Sequence, residues 1–304
     1  MPELFNRAQT HSMIKYNPKT WFNLIFHSYS RQVLRTLLPA LGFMAAFTAV
    51  VCYVILDFMD LKPSDFHSTT VVHSLLGIVL GLFLVFRTNT AYDRWWEGRR
   101  LWGALVNSTR NFALKLNAYI SKENHDDRAW FACMIPNFIY ATKEHLRKGV
   151  QFAELEAPDE SFIEDLKKIK HRPNKIAAMM YERVNRLYRE GAFTGDHLIN
   201  LDKELKDFID FMGSCERIRN TPIPYSYTMY IKKFIFIYII TLPFGFISTF
   251  GYFTIATVIL VSFVLLSVEL IAEEIEDPFG RDINDLPTDE LAGRIRENVK
   301  EILL

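Results

Sequence analysis

Two sets of residues in this 304-residue chain have types and spacings that bear on chemistry. The first is a row at intervals of four: Thr70, Ser74, Ile78, Leu82, Phe86, Thr90 and Arg94. On a helix, residues four apart project from neighbouring turns of one face. Three large apolar side chains with polar residues at either end are what a pore-lining helix with a narrow hydrophobic waist would need. Ordinary helix packing uses the same spacing, so the row alone leaves both readings open. The second set is acidic: Glu269, Glu273, Glu274, Glu276, Asp277, Asp282, Asp285, Asp289 and Glu290. Pro278 and Gly280 force a turn among these acids. A carboxylate-lined turn can bind a hard cation such as calcium. The spacing is not that of an EF-hand, and a solvated acidic turn is the default reading.

Other chemistry is poorly supported. The eight histidines are scattered, and no H-E-x-x-H, G-x-S-x-G or phosphate-binding loop is present. The chain therefore reads as no enzyme, with no cofactor required; the acidic turn offers a place where a divalent cation such as calcium could bind. His73 lies within an apolar stretch, as a pH-sensitive residue or as a buried imidazole bonded to a neighbour. Trp95 and Trp96 beside Arg94 suggest helix anchoring at a membrane surface more than a ligand cage. Cys52, Cys133 and Cys215 are far apart and read as buried, inert thiols. The formal net charge is zero, which gives no global basic field for nucleic acid.

The elements that must position these residues follow from hydropathy. Half of the chain is hydrophobic, with 25 Phe, yet 23% is charged. That mixture predicts a protein part membrane and part aqueous. The N-terminus has no apolar core followed by a small-residue cleavage site, so a secretory signal is not expected. Asn17-Pro18 and the aromatic run from Trp21 to Tyr29 predict an amphipathic interfacial helix within a cytosolic segment 1–35. Residues 36–86 predict two spans. The first holds Pro39 in its opening turn, with Gly42 and Ala46 as a small-xxx-small pair. The second carries a Gly77/Gly81 pair and continues as helix beyond Phe86 into charged sequence. The loop between them holds Asp60, Lys62 and Asp65, and Arg87, Arg94, Arg99 and Arg100 follow the second span. The positive-inside rule then puts that loop outside and both termini in the cytoplasm.

Residues 87–230 predict a cytosolic helical domain. Ile176, Met180, Val184 and Leu187 form one core stripe, and Leu198, Leu201, Leu205, Phe208, Met212 and Cys215 another. Pro136 predicts a kink, and Pro222 and Pro224 forbid helix before the chain re-enters the membrane. Residues 231–272 predict the third and fourth spans, broken near Ser248 to Gly251, with a kink at Pro243. Residues 273–304 hold the acidic turn and a C-terminal helix.

Three stretches, SLLGIVLGLFLVFRTNTAYDRWWEGRRLWG, GSCERIRNTPIPYSY and EEIEDPFGRDINDLPTDEL, together with the order of four spans around a helical insert, resemble the bestrophin family in its bacterial branch. The resemblance covers nearly the whole chain. It implies an all-α integral membrane protein of the cell membrane, a multi-pass homopentamer around a central ion pore. By position it implies a pore neck at Ile78, Leu82 and Phe86, with Thr70, Ser74 and Thr90 lining the pore beside it. It further implies a cytosolic constriction in REGAFTGDH, with Phe193 the candidate. The calcium site of animal members falls on Glu274, Asp277, Asp282 and Asp285. Here Asp277 stands where the family usually has Asn, Ile283 breaks the acidic run, and bacterial members are regarded as lacking calcium activation. Animal members pass chloride, whereas bacterial members are described as favouring monovalent cations.

The partners expected are thus other copies of the chain, lipid and small inorganic ions, with no nucleic acid. The acids lean the selectivity towards cations, with an anion channel of the same architecture as the alternative. A membrane-anchored sensor or scaffold without transport is the alternative of another class.

Overall fold

The computed structural model describes residues 28–59, 67–147 and 151–304. Among them are α-helices and short helical turns, and no strand. The helices are α1 (Ser28–Tyr53), α2 (His67–Tyr119), α3 (His125–Leu146), α4 (Phe162–Lys168), α5 (Arg172–Arg189), α6 (Gly195–Asn220), α7 (Tyr225–Phe250), α8 (Thr254–Glu276) and α9 (Thr288–Leu303). The expectations for residues 1–27, and for the loop with Asp60, Lys62 and Asp65, lie outside the described residues.

The chain forms two units. Of the described residues, one comprises 95–147, 151–221 and 277–304, and the other 28–59, 67–94 and 222–276. The first unit is a helical bundle in which α3 packs on α5, α6 and α9, and α5 on α6. Both stripes read from the sequence lie in its core: Ile176, Met180, Val184 and Leu187 on α5, and Leu201, Leu205, Phe208, Met212 and Cys215 on α6 are buried. Around them Phe112 stands edge-on to Phe131 and Phe208, with ring centroids 6.0 and 5.5 Å apart. Edge-to-face contact of this kind adds to the large area that each ring removes from water. Cys215 is buried here, and burial pushes its thiol up to about 12, so it stays protonated and unreactive.

Thr194 begins α6 with a reciprocal cap. Its hydroxyl accepts the His197 N–H at 3.3 Å, and the His197 ring accepts the Thr194 N–H at 3.4 Å. Thr194→Ala removes one of these acceptors and should cost about 1 kcal/mol. The check is unfolding of the purified protein followed by circular dichroism, with Thr194→Ser retaining most of the stability.

In the second unit α1 packs on α8 and α7, and α7 on α8. Among the described residues three stretches are long and apolar enough to cross a membrane: Val33–Phe58, Thr70–Tyr119 and Tyr225–Glu276. The last is two helices. The chain reverses at Gly251, whose φ of +52° is open to glycine and strained for other residues. The turn falls where the sequence predicted it. Outward faces are apolar: Leu38, Phe43, Phe236, Ile237 and Leu260 are each about 60% exposed. In water such a surface would drive association, whereas in hydrocarbon it is solvated.

Several expectations are corrected. Pro39 lies well inside α1, which begins at Ser28, and the helix runs on through it. α3 and α7 also run on as helix through Pro136 and Pro243, the positions where kinks are expected. Of the glycines picked out for close packing, only Gly77 meets another helix: a Cβ there would lie 2.7 Å from the Tyr238 hydroxyl. Gly42 and Gly81 face open space.

Candidate functional site

α2 carries the candidate residues, and its two faces are distinct. His73, Leu80, Leu84, Arg87 and Ala91 are buried and recur at helical spacing. Leu80 and Leu84 pack among Ile231, Ile235, Tyr238, Ile239 and Leu242 of α7 and Val258 of α8. On the other side Ile78, Leu82 and Phe86 are 73, 56 and 54% exposed. These large apolar side chains are therefore not part of their own subunit's core. Ser74 and Thr90 are also exposed, and each hydroxyl donates to a carbonyl of its own helix, Thr70 O and Phe86 O, at 2.9 Å.

Thr70 departs from the expected row. Its hydroxyl donates to Gly245 O on α7 at 2.6 Å, so it packs inward instead of lining an open face. Arg94, at the other end, donates from Nε to Glu276 O at 3.0 Å. The cause is helix arithmetic. At 3.6 residues per turn, steps of four advance a row by about 40° each. The five members from Ser74 to Thr90 stay on the outward side, and the two ends, Thr70 and Arg94, have turned towards the packed side. His73 takes the second of its two sequence readings: it is buried, with Nε2 3.0 Å from the Thr241 hydroxyl.

The sequence reading treated Arg87 as a topology signal and missed its structural role. The side chain is fully buried, with Nη2 2.7 Å from Glu276 Oε2 and Nε 3.6 Å from Glu269 Oε1. Glu276 Oε1 also accepts the Ile223 N–H at 3.0 Å. A carboxylate and a guanidinium this far from water must be paired, since each alone carries a large desolvation cost. The one available signal was the pairing requirement itself: charge at the end of an apolar span needs an opposite charge nearby.

Phe193 is likewise corrected. It is 3% exposed, edge-on to Tyr119 and His197 at 6.3 Å. A ring enclosed by its own bundle cannot present to a passage. Trp95 is more than an interfacial anchor, because its indole N–H donates to Asn284 O at 2.8 Å.

The acidic turn does not fit the calcium site that the resemblance implied. Asp285 is buried, and its Oδ2 accepts the Asp282 N–H at 2.5 Å. A Cβ at Gly280 would meet that same oxygen, which is why the turn has glycine there. Arg147 takes the carbonyls of Phe279 and Gly280 from Nε at 3.3 and 3.2 Å. Among the described residues no three of Glu274, Asp277, Asp282 and Asp285 bring ligand atoms together. The turn is held by the Asp285 side chain, by Arg147 and by the Trp95 indole.

Arg147 and buried Lys143 also grip Asp289, at 2.7 and 2.6 Å. Burial tends to raise the Asp289 pKa, but hydrogen bonds and charge from Arg147 and Lys143 outweigh it and hold the carboxyl well below the usual range. A group depressed in the folded chain stabilises above its unfolded value of about 3.9, and that contribution is lost as pH falls through the folded value. Acidification below about pH 4 should therefore lower thermal stability, and Asp289→Asn should flatten that decline. Parallel pH profiles for the two proteins would refute the assignment.

A family profile described as bacterial/fungal bestrophin protein matches residues 13–301. The chain belongs to the bestrophin family. Among bestrophin relatives, a voltage-dependent anion channel-forming protein of Nostoc sp. is 38% identical over 230 residues, 74% of this chain and 75% of that one. Its namesake in Ralstonia nicotianae is 30% identical over 289 residues, 93% of this chain and 92% of that one. A crystal structure of a bacterial bestrophin homologue from Klebsiella pneumoniae, solved as a point variant, superposes with a TM-score of 0.79 at 25% identity, over 88% of this chain and 98% of that one. This bestrophin is thus an all-helical chain with the fold of solved bacterial relatives, and its apolar helices place it in a membrane.

Proposed function

We propose that this bestrophin forms a homopentameric ion channel in the cell membrane. Each subunit crosses four times, through α1, the first half of α2, α7 and α8, with both termini cytoplasmic. Five copies of α2 surround the axis, and Ile78, Leu82 and Phe86 form three stacked apolar rings. The observation that carries this reading is their exposure on α2, opposite the stripe that packs into the subunit. Gly42 and Gly81, open to the outside of the subunit, suit close approach by another helix.

A narrow apolar passage dewets, and an ion crossing it must shed hydration water that the walls do not replace. Such rings gate with little selectivity of their own, and a small side-chain rotation suffices to open them.

The names of the relatives favour anions as the permeant species. A second reading, cation conduction, has one specific observation in its favour. The Ser74 and Thr90 hydroxyl hydrogens turn to their own helix, leaving oxygen lone pairs for a passing ion. Purified protein in planar bilayers tests both. Ion current establishes transport, and its absence in liposomes holding only this protein would favour a sensor or scaffold. In a potassium chloride gradient the reversal potential should approach the chloride equilibrium value; a reversal near the potassium value would select the second reading.

A further inference from the structure

We infer that His145, His171 and Glu216 form a binding site for a transition-metal dication, with zinc as the best match to their donors. The site lies in the helical bundle of residues 95–221 and 277–304, and three elements supply it. His145 is in the last turn of α3, His171 is the N-cap of α5, and Glu216 projects from α6. Nε2 of His145 and Nε2 of His171 stand 2.6 and 2.9 Å from the same Glu216 oxygen, Oε1. All three ligand atoms lie within 4.8 Å of one another, and all three residues are partly exposed, which leaves solvent access for an entering ion.

The donors and their backbones both fit. Two imidazoles and one carboxylate, with an open fourth position, are a recurring zinc set, at bond lengths of about 2.0–2.2 Å. Tetrahedral ligands at that length sit roughly 3.3 Å apart, so the cluster need open by only about half an ångström. Arg219 holds the backbone carbonyls of His145 and Arg147, fixing the end of α3. Glu216 has no other hydrogen-bond or ion-pair partner among the described residues. A second cluster, Glu144, Glu154 and Asp289, differs on this point: Lys143, Arg147 and Arg281 already neutralise it.

The protons balance. Without metal, His171 Nδ1 accepts the Asn174 N–H at 3.3 Å, so its Nε2 carries the hydrogen donated to Glu216. Metal binding moves that hydrogen through solvent from Nε2 to Nδ1 and exchanges the long cap bond for a metal–nitrogen bond. With neutral imidazoles no net proton is released on binding.

The test is zinc chloride titrated into full-length protein purified in detergent without a polyhistidine tag, with bound metal counted by mass spectrometry. Cobalt(II) absorption reports the geometry. Wild type should bind one ion per chain at this site, with a tetrahedral cobalt spectrum. His145→Ala and Glu216→Gln should weaken binding by about a hundredfold or more, beyond the roughly 10–100-fold lost with a supporting residue. His171→Asn keeps an N-cap acceptor, so it separates loss of the ligand from loss of α5. His125→Ala should leave binding unchanged. Absence of zinc from the wild type, or equal binding by wild type and the ligand variants, would overturn the assignment. Either result would leave the pore reading untouched, because channel current is not the readout.

Discussion

Arg87→Ala should destabilise the protein by about 3–5 kcal/mol, the cost of leaving buried Glu269 and partly buried Glu276 without their partner. Two carboxylates, Glu269 and Glu276, depend on that guanidinium, and its side chain is fully enclosed. Against a total stability of about 5–15 kcal/mol, the loss should appear as low yield and a poorly dispersed protein in detergent. Neutralising the whole group discriminates the cause. Arg87→Met combined with Glu269→Gln and Glu276→Gln leaves no buried charge, and Gln at 276 still offers an acceptor to the Ile223 N–H. That triple variant should recover much of the stability, since apolar or neutral replacements of buried ion pairs are often tolerated. Wild-type stability in Arg87→Ala alone would mean that the pairing is not made in the assembled protein.

The second large effect is on current. Ile78→Ala, Leu82→Ala and Phe86→Ala together should raise single-channel conductance several-fold by widening the dewetted passage. Each should raise it singly by less. Because these side chains are exposed within their subunit, truncating them leaves no internal cavity, and folding should be little affected. That separates them from Arg87, whose loss acts on stability first. Unchanged currents in all of the single variants and in the combination would remove the neck from α2.

What could be read from the sequence was local. The helix from His67 to Tyr119 could be read because nothing in the chain interrupts it, and the turn at Gly251 because two spans' worth of apolar residues need a break. The core stripes of α5 and α6 showed in the spacing of their apolar residues. Arg87 could not be paired from sequence, since Glu269 and Glu276 lie at the far end of the chain. Phe193 sits in a stretch without periodicity, so nothing there tells inward from outward. Charge alone also misled at the acidic turn, because an Asp that caps a backbone N–H and an Asp that binds an ion look the same in a string of letters. The His145, His171 and Glu216 cluster left no motif, as its members come from three separate helices.

The drift of a four-residue row around α2 has a consequence for the size of the barrier. Three positions in such a row, the last eight steps beyond the first, rise about 12 Å along the axis. In a straight helix a fourth member lies about 120° from the first and has left the common face. In the proposed pore, a dry plug built on steps of four alone would stay near that rise. A step of three, which turns the row back by about 60°, is needed to lengthen it on a straight helix.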